Sequence, residues 1–377
     1  MFKLNKFAFI LIFVITILIV VIALIIKSDN AFISNKTTIS NISPDFSRSN
    51  SSEEEGSTLP SSAITISLVG DCTLGTDDKF DPSTNFTSLL KQNNNNYAYF
   101  FKNVAEIFKN DDYTTANLET TFTKTNVKSP KLFNFKGDPN YAQILNDGYI
   151  EGVNIDNNHI MDFMGNGLKD TKDALTAKGI DYFGLGSVVL KDIKGHKFAF
   201  LGYSGVEEDD SFNENSIKTM KMDINKLKEE GYIVIINIHW GQESQYYPND
   251  TQKRIGHMAI DWGADLIVGH HPHVIEGIEL YKGKFICYSL GNFCFGGNSN
   301  PPDQDSFIFQ IKFSFLGDDF TSNQARVIPC SVSSINSKND YCPTPLVSSK
   351  KESLLEKINK LSFNLKNKIT DQFISVE

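Results

Sequence analysis

The chain has 377 residues, of which 40% are hydrophobic and 12% aromatic, and this is sufficient for one large globular domain or two modest ones. Its formal net charge is −9, which argues against a nucleic-acid-binding protein because such proteins normally carry a basic surface. We therefore expect no nucleic-acid partner.

Residues 7–26 form an apolar run, FAFILIFVITILIVVIALII, that contains no charged side chain and is about as long as a bilayer core is thick. Lys3 and Lys6 precede the run, so the N-terminus is expected in the cytoplasm and the rest of the chain outside the cell. The sequence thus predicts a single-pass anchor in the cell membrane over residues 1–27. A cleaved signal peptide is the alternative.

Residues 28–62 are rich in Ser, Asn and Thr and lack apolar periodicity, which predicts a flexible stalk. From residue 63 onward, apolar runs ended by glycine alternate with segments whose apolar residues recur at helical spacing. This alternation predicts an α/β domain over residues 63–346. In chain order the expected elements are strand 63–70, helix 97–110, strand 113–119, helix 138–149, strand 150–156, helix 166–179, strands 180–186 and 197–204, helix 217–231, strand 232–241, helix 250–263, strand 264–269, a hairpin over 276–293 that turns at Lys282-Gly283, and strands 305–317 and 324–334.

The last segment, residues 347–377, carries a stripe of four apolar residues and is predicted to form an amphipathic helix. These residues are Leu354, Ile358, Leu361 and Leu365. Packing against the domain is the default expectation, and docking on a partner is the alternative.

Five cysteines are scattered along the chain without a Cys-x-x-Cys motif, so a zinc knuckle is not expected. Cys287 and Cys294 are expected to pack as small apolar residues. Cys330 and Cys342 lie in a polar C-terminal stretch and are a candidate disulfide pair in an oxidising compartment.

Polar side chains follow five of the predicted strands at the point where each strand ends. In chain order they are Asp71, then Glu119, then Asn157, Asn158 and His159, then His239, and finally His271 and His273. Because the carboxyl ends of strands in an α/β sheet meet at one edge, we expect these side chains to converge. Carboxylate, amide oxygen and imidazole ligands together suit Mn, Fe or Zn. The sequence therefore predicts a site for one or two divalent metal ions, with the ligands Asp71, Glu119, Asn158, His239, His271 and His273.

Residue type suggests a role for several members of this site. Glu119 is suited to bridge two ions, and two ions can clamp a phosphoryl group and activate water. His159 is the candidate proton donor or oxyanion stabiliser, and Asp71 is the second candidate catalytic residue. Glu243 follows the fourth of these strand ends in a loop and is, together with Asn157, a candidate substrate-binding residue.

The remaining histidines are expected to lie outside the site. On extended backbone His271 and His273 point the same way, so His270 is expected to face the opposite side. His196 and His257 are expected to be solvated. Asp162, which follows the third strand at a distance, is interpreted as a turn or helix-entry residue.

Six motifs occur in the order and spacing of the CapA family, the poly-γ-glutamate capsule synthesis proteins. They are LVGDCTLG, NLETTFT, NNHIMDFMGNGL, HWGQE with Pro248 after it, GADLIVGHHPHV and YSLGNFCF. The chain resembles this family from about residue 64 to about residue 345. The CapA family is similar in fold to the calcineurin-like metallophosphoesterases, so the resemblance implies a four-layer αββα sandwich.

The resemblance also implies roles for single residues, because the phosphoesterases have the motifs D-x-H, G-D-x-x-D, G-N-H, H and G-H-x-H. The matches are Asp71 for the first Asp, Asn158 and His159 for the Asn-His pair, His239 for the lone His, and His271 and His273 for the final pair. Glu119 takes roughly the place of the bridging Asp. Thr73 stands where D-x-H has its His, and a hydroxyl group is a poor substitute for imidazole. The resemblance therefore implies metal binding more firmly than it implies hydrolysis.

By this resemblance the chain is expected to act in the biosynthesis, export or anchoring of a capsular polymer such as poly-γ-glutamate. Its expected partners are the membrane, other capsule-synthesis membrane subunits and the anionic polymer. The alternatives are a metal-dependent hydrolase of phosphoesters or of cell-wall amides, and a metal-stabilised binding module without turnover.

Overall fold

The computed structural model describes residues 61–205 and 212–375. The predicted anchor at 1–27 and nearly all of the predicted stalk at 28–62 lie outside these residues. Within the described ranges, no helix has both the length and the apolar character needed to cross a membrane.

The described residues form 17 strands and seven α-helices. The strands are β1 Ser61–Thr73, β2 Tyr113–Leu118, β3 Thr121–Phe122, β4 Lys136–Gly137, β5 Gly152–Asn154, β6 Asp181–Phe183, β7 Val189–Ile193, β8 His196–Ser204, β9 Ile233–His239, β10 Leu266–His270, β11 Ile278–Tyr281, β12 Lys284–Cys287, β13 Asn292–Phe295, β14 Asp305–Leu316, β15 Asp319–Ser331, β16 Thr344–Pro345 and β17 Ile374–Ser375. The helices are α1 Phe86–Gln92, α2 Ala105–Lys109, α3 Ala142–Asp147, α4 Met164–Ala177, α5 Glu214–Glu229, α6 Asp250–Asp261 and α7 Ser348–Leu361, with 3₁₀ turns at Tyr97–Tyr99 and Pro139–Tyr141.

Two large sheets account for most of the strands. The nine-stranded sheet has the order β16-β15-β14-β1-β2-β5-β6, with β13 paired to β1 and β17 paired to β15. The six-stranded sheet has the order β11-β12-β10-β9-β8-β7. The central strands of both sheets are parallel: β1 pairs with β2 and β2 with β5 in one, and β8 pairs with β9 and β9 with β10 in the other. Their carboxyl ends therefore point the same way within each sheet.

Successive side chains of a strand point to opposite faces of its sheet, and both faces are buried here. The side chains of one strand therefore belong to two different layers of the core. In β10, Leu266 and Val268 belong to a cluster shared with β1 and β14 of the other sheet, whereas Ile267 belongs to a cluster shared with α5 and α6. A further cluster joins the outer face of the nine-stranded sheet to α1–α4. These clusters describe a mixed α/β fold with the order helix–sheet–sheet–helix.

The predicted helix at 97–110 is the main element that the structure changes. It consists of a 3₁₀ turn at Tyr97–Tyr99 and the short helix α2. Phe100 and Phe101 lie between these two elements and are both fully buried. Helix α1, strand β7 and the two-residue strands β3, β4, β16 and β17 were not predicted.

The C-terminal helix packs on the domain, as the default expectation had it, but it ends at Leu361 and does not continue over the rest of the predicted segment 347–377. Leu354, Ile358 and Leu361 of α7 are buried in the cluster between the sheets, and Leu365, which lies after the helix, packs against the same cluster. Cys330 and Cys342, the candidate disulfide pair, are both buried free thiols, so that expectation was wrong for this structure.

Candidate functional site

Two glycines let the carboxyl ends of the central strands approach their neighbours closely. Gly70 comes just before Asp71 in β1, and a Cβ atom at Gly70 would lie 1.9 Å from the carbonyl oxygen of Gly291. Gly269 comes just before the end of β10, and a Cβ atom there would lie 1.9 Å from the carbonyl oxygen of Tyr288. Any side chain at either position would push the backbone away. The apolar runs ended by glycine therefore place the polar residues that follow.

Asp71 joins the two sheets at this edge. Its carboxylate accepts a hydrogen bond of 3.3 Å from the backbone N–H of His271, which follows β10 of the other sheet. It also accepts a bond of 2.8 Å from Asn117 Nδ2 and lies 3.3 Å from His273 Nδ1. Burial alone would raise the pKa of Asp71, but the hydrogen bond and charge of His273, with His270 3.6 Å away, hold it below its usual value. Asp71 is therefore a buried carboxylate in its charged form.

Glu119 follows β2 and is fully buried, yet neither of its carboxylate oxygens has a hydrogen-bond partner among the described residues. Oε1 lies 3.5 Å from Nε2 of His239 and 3.9 Å from Nε2 of His273. Burial raises the pKa of Glu119 well above its usual value. A buried carboxylate without a donor is costly, so this side chain requires either a proton or a cation.

His239 ends β9 with both ring nitrogens facing polar groups. Nδ1 lies 3.2 Å from Nδ2 of Asn117, which donates to it, and Nε2 lies 3.1 Å from Oδ1 of Asn158. Burial, together with the neighbouring histidines, holds the pKa of His239 well below its usual value, so the ring is neutral. Asn117 was not predicted as a site residue, although it connects Asp71 to His239 from within β2.

His271 and His273 reach the site for a reason that differs from the predicted one. Strand β10 ends at His270, and the backbone of His271 and His273 has φ of 101° and 58°, so the two residues lie on a turn and not on extended chain. Their rings are 5.8 Å apart. Burial lowers the pKa of His271 to about 3. Burial opposes the charge on His273, but the carboxyl groups of Glu119 and Asp71 raise its pKa to about 10.

One set of ligand-type atoms is close enough to hold a metal ion. Single ligand atoms of Glu119, His271 and His273 all lie within 4.8 Å of one another. In addition to both oxygens of Glu119, Nδ1 of His271 is buried without a hydrogen-bond partner among the described residues. One carboxylate and two imidazoles are a suitable donor set for Mn, Fe or Zn. The residues present therefore fit a divalent cation, with Asp71, Asn158 and His239 beside them.

His159 stands at the edge of this group and is oriented by a buried acid. Its Nδ1 lies 2.7 Å from Oδ2 of Asp162, and its ring packs 4.4 Å from that of Phe135. Asp162 is fully buried, accepts a 2.7 Å bond from the backbone N–H of Phe135 and forms a 3.0 Å ion pair with Lys131. Asp162 thus orients His159, a role that the predicted turn or helix-entry residue did not include.

A cleft of about 280 Å³ opens beside the site. His159, His273 and Glu243 line it together with aromatic side chains, among them Phe133, Phe135 and Phe295. Glu243 is exposed, so it is free to meet a ligand in this cleft. Asn157 is not among the lining residues, because its amide is engaged inside the fold.

The contacts of Asn157 are all with neighbouring protein groups. Nδ2 donates to Oδ1 of Asn117 and to the carbonyl oxygen of Leu118, at 3.2 and 2.9 Å, and Oδ1 accepts from the backbone N–H of His159 at 3.1 Å. Thr73 is likewise used structurally, since its hydroxyl donates to the carbonyl oxygen of Glu119 at 3.1 Å. Neither Asn157 nor Thr73 lines the cleft.

Three histidines differ from expectation. His270 does not face away from the site: it is buried, with Nδ1 3.6 Å from Asp71 and Nε2 3.1 Å from Oδ1 of Asn237. His196 is stacked on Phe315 at 3.6 Å between ring centroids, and His257 is stacked on Tyr281 at 3.9 Å, so neither ring is solvated on both faces. The surrounding chain supplies aromatic partners that the local sequence does not reveal.

Similar proteins give the family context. The chain is 33% identical over 213 residues to the PGA biosynthesis protein CapA of Bacillus subtilis (strain 168), covering 52% of this chain and 56% of that protein. It is 30% identical over 258 residues to the capsule biosynthesis protein CapA of Bacillus anthracis, covering 62% and 60%. A probable polyglutamine synthesis accessory protein of Mycobacterium tuberculosis is 28% identical over 208 residues, covering 48% and 55%. The chain thus spans between one half and two thirds of the length of these relatives.

Among solved structures, the protein TT1561 of Thermus thermophilus is similar at 10% identity with a TM-score of 0.40, covering 66% of this chain and 94% of that chain. This likeness is too low to assign a fold family. Residues 65–297 match the family described as bacterial capsule synthesis protein PGA_cap, and the match includes every residue of the site described above. Because it covers more than half of the 377 residues, the protein belongs to the bacterial capsule synthesis, or CapA, family.

Proposed function

We propose that this protein acts in the biosynthesis, export or anchoring of a capsular polymer such as poly-γ-glutamate, as a membrane-anchored extracytoplasmic component with a metallophosphoesterase-like fold. Family membership and the names of the Bacillus relatives support the capsule role. The apolar run at 7–26 supports the anchor. The description of a mycobacterial relative as an accessory protein supports work beside other capsule-synthesis membrane subunits.

The observation that carries a chemical role for the site is the buried carboxylate of Glu119, which has no donor among the described residues and faces His271 and His273. In this proposal these three residues hold a divalent ion, Mn, Fe or Zn, and Asp71, Asn158 and His239 complete its surroundings or hold a second ion. A bound divalent ion would polarise a phosphoryl or carbonyl oxygen and lower the pKa of water. His273 also lines the cleft, which supports a substrate group in the cleft within reach of such an ion.

The chain's own residues then bind and orient a substrate in the cleft. His159 lines the cleft, and Asp162 fixes its ring by accepting a hydrogen bond from Nδ1. Nε2 is then the nitrogen that carries the proton given to a leaving group. Lys131 forms a 3.0 Å ion pair with the other oxygen of Asp162 and helps to hold that acid in place. Phe133, Phe135 and Phe295 exclude water from one wall of the cleft, and Glu243 meets cationic or hydroxyl groups at its mouth.

The test is complementation of a deletion strain. Wild-type protein should restore surface polymer, whereas Glu119→Gln should restore none while reaching the same protein level. Glu352→Gln, which changes an exposed glutamate of α7 in the same way, should complement fully. Unchanged surface polymer in the deletion strain would refute the capsule role, and full complementation by Glu119→Gln would refute the role of the site.

A second candidate function is hydrolysis of a phosphoester or of a cell-wall amide, and the orientation of His159 by Asp162 favours it. Purified protein with Mn²⁺ should then turn over a generic phosphodiester or a cell-wall peptide amide. His159→Asn should reduce kcat by about 10²–10⁴, the usual contribution of a general acid. If the protein binds metal but shows no turnover that His159→Asn reduces, hydrolysis is refuted and only a binding role is left.

A further inference from the structure

The loop over residues 124–136, hereafter the basic loop, has a composition unlike that of the whole chain. Residues 120–137 contain four lysines and no aspartate or glutamate, whereas the chain carries a net charge of −9. The four are Lys124, Lys128, Lys131 and Lys136, and the first three are exposed. Lys128 and Lys131 form ion pairs with Asp78 and Asp162, and no ion pair of the described residues involves Lys124 or Lys136. The loop therefore presents positive charge on an acidic protein.

The same loop exposes large apolar side chains. Leu132 is 72% exposed, Val127 66% and Phe133 38%, and Met161, next to the loop through Asp162, is 44% exposed. Apolar side chains grouped at one site on a protein surface usually mark contact with another apolar body. Four of them beside the lysines form a surface with both an apolar and a cationic component.

Hydrogen bonds at the base of the basic loop hold this surface in place. The backbone N–H of Ser129 donates to the carbonyl oxygen of Asp162 at 2.8 Å, and the backbone N–H of Asn134 donates to Asp77 at 2.5 Å. The ring of Phe133 stacks on that of Phe135 with an interplanar angle of 4°. The apolar groups are thus presented by a fixed loop, and Phe133 and Phe135 also line the cleft that contains His159. Whatever covers the basic loop lies against the mouth of the cleft.

The chain that precedes the described residues limits what that partner can be. The uncharged apolar run at 7–26 is followed by 34 residues, 27–60, before β1 begins. Thirty-four residues reach at most about 120 Å when fully extended, so the anchor proposed above would tether the domain to a bilayer. A bilayer with anionic headgroups also matches both components of the loop, since it offers negative charge above an apolar layer. A polycarboxylate would match the lysines but offers no counterpart to Leu132 and Val127.

We propose that the basic loop docks onto an anionic lipid surface, with Val127, Leu132 and Phe133 entering the interface and Lys124 and Lys128 meeting the headgroup phosphates. The mouth of the cleft then faces the bilayer surface. The docking goes beyond the proposed function but rests on its membrane anchor, and the test does not depend on catalysis, on capsule polymer or on a bound metal.

The test uses a polarity-sensitive thiol dye on the full chain. All five native cysteines are buried, so a cysteine introduced by Leu132→Cys is the one that a water-soluble reagent reaches. Val347→Cys, at an apolar position that is 73% exposed and outside the basic loop, is the matched control. Each labelled protein is incorporated into vesicles of phosphatidylcholine alone or with phosphatidylglycerol, and flotation isolates the vesicle-bound protein before emission is recorded.

We expect the dye at position 132 to shift to shorter wavelength only in vesicles that contain phosphatidylglycerol, and the dye at 347 to stay unchanged. Salt at 1 M, where the Debye length is about 3 Å, should reverse most of the shift. Lys124→Gln with Lys128→Gln should weaken docking roughly 25-fold, at about fivefold for each lysine, whereas the exposed pair Lys366→Gln with Lys368→Gln should not change it.

Three results would overturn the proposal. The first is protein that floats with anionic vesicles while the dye at 132 keeps its solution spectrum, which would refute the docking and leave the anchor intact. The second is the same shift on adding soluble polyglutamate without lipid, which would assign the loop to an anionic polymer. The third is a shift that depends on protein concentration in the absence of lipid, which would assign it to a second copy of the chain.

Discussion

Replacing Glu119 with glutamine is expected to change metal-free and metal-bound stability in opposite directions. In the metal-free protein both carboxylate oxygens are buried without a donor among the described residues, and an unsatisfied buried polar group costs about 1–3 kcal/mol, more when it is charged. Glutamine has nearly the same shape and no charge. The metal-free variant should therefore be at least as stable as the wild type.

With metal present the order should reverse. A ligand that binds only the folded state at one hundred times its Kd adds about 2.7 kcal/mol to the free energy of unfolding. For a domain of about 300 residues, with an unfolding entropy of about 2.1 cal/mol/K per residue, each kcal/mol corresponds to about 1.6 °C in Tm, so the wild type should gain roughly 4 °C with saturating Mn²⁺. Glu119→Gln should lose most of this gain, because it removes the one carboxylate of the ligand set formed with His271 and His273.

Thermal unfolding with and without Mn²⁺, after treatment with a chelator, measures both effects. Glu279→Gln is the matched control, since Glu279 is also buried but accepts from Tyr288 at 2.6 Å, from Asn364 at 2.8 Å and has His257 at 2.8 Å. It should lose about 1.5–3 kcal/mol in both conditions and keep the metal-induced gain. The reasoning is refuted if Glu119→Gln keeps the full gain, or if Mn, Fe and Zn all leave the wild-type Tm unchanged.

The convergence of polar residues at one edge of the fold could be predicted because it depends on short-range signals. Apolar runs such as those before Asp71 and His239 are buried strands, and in parallel sheets their carboxyl ends must meet. Glycines at the ends of two of these runs mark the places where backbones touch. Which atoms face each other there depends on the pairing of strands, and no single segment contains that information.

Asn117 and Asp162 illustrate what local sequence could not supply. Asn117 lies inside β2, where a polar residue resembles an exposed strand position, and only its register beside Asp71 places it in the site. Asp162 lies three residues after His159, and its function depends on a loop from 124–136 that folds over it. The sequence shows only an acidic residue in a turn-forming segment, and such a residue is indistinguishable from a helix-entry residue.

The histidine turn was predicted with the correct residues and the wrong geometry. Alternation along an extended strand would place His270 opposite to His271 and His273, but β10 ends at His270. Positive φ at His271 and His273 turns the chain so that all three approach Asp71. Non-glycine residues rarely adopt this conformation, and it is tolerated where surrounding contacts enforce it, as at functional sites.

Three further changes test the packing and electrostatics of the domain by chemical unfolding. Ile358→Ala in α7 should cost about 2–5 kcal/mol, because the side chain is fully buried between the sheets, and a loss below about 1 kcal/mol would contradict that burial. Gly70→Ala should destabilise the fold and remove the metal-induced gain in Tm, because its Cβ would meet the carbonyl oxygen of Gly291. Gly165→Ala in α4 is the control: nothing lies within 4 Å of its Cβ, and it should stabilise the fold by about 0.5–1 kcal/mol. Asp111 supplies a pH dependence, because burial raises its pKa from 3.8 to about 7. Between these values the folded state binds more protons than the unfolded state, so the contribution of Asp111 to the free energy of unfolding is lost as pH rises from about 4 to about 7. Asp111→Asn lacks this loss, and its stability relative to the wild type should rise over the same window by at most about 4 kcal/mol. A difference between the two proteins that is constant from about pH 4 to about pH 8 would mean that Asp111 titrates normally in the fold.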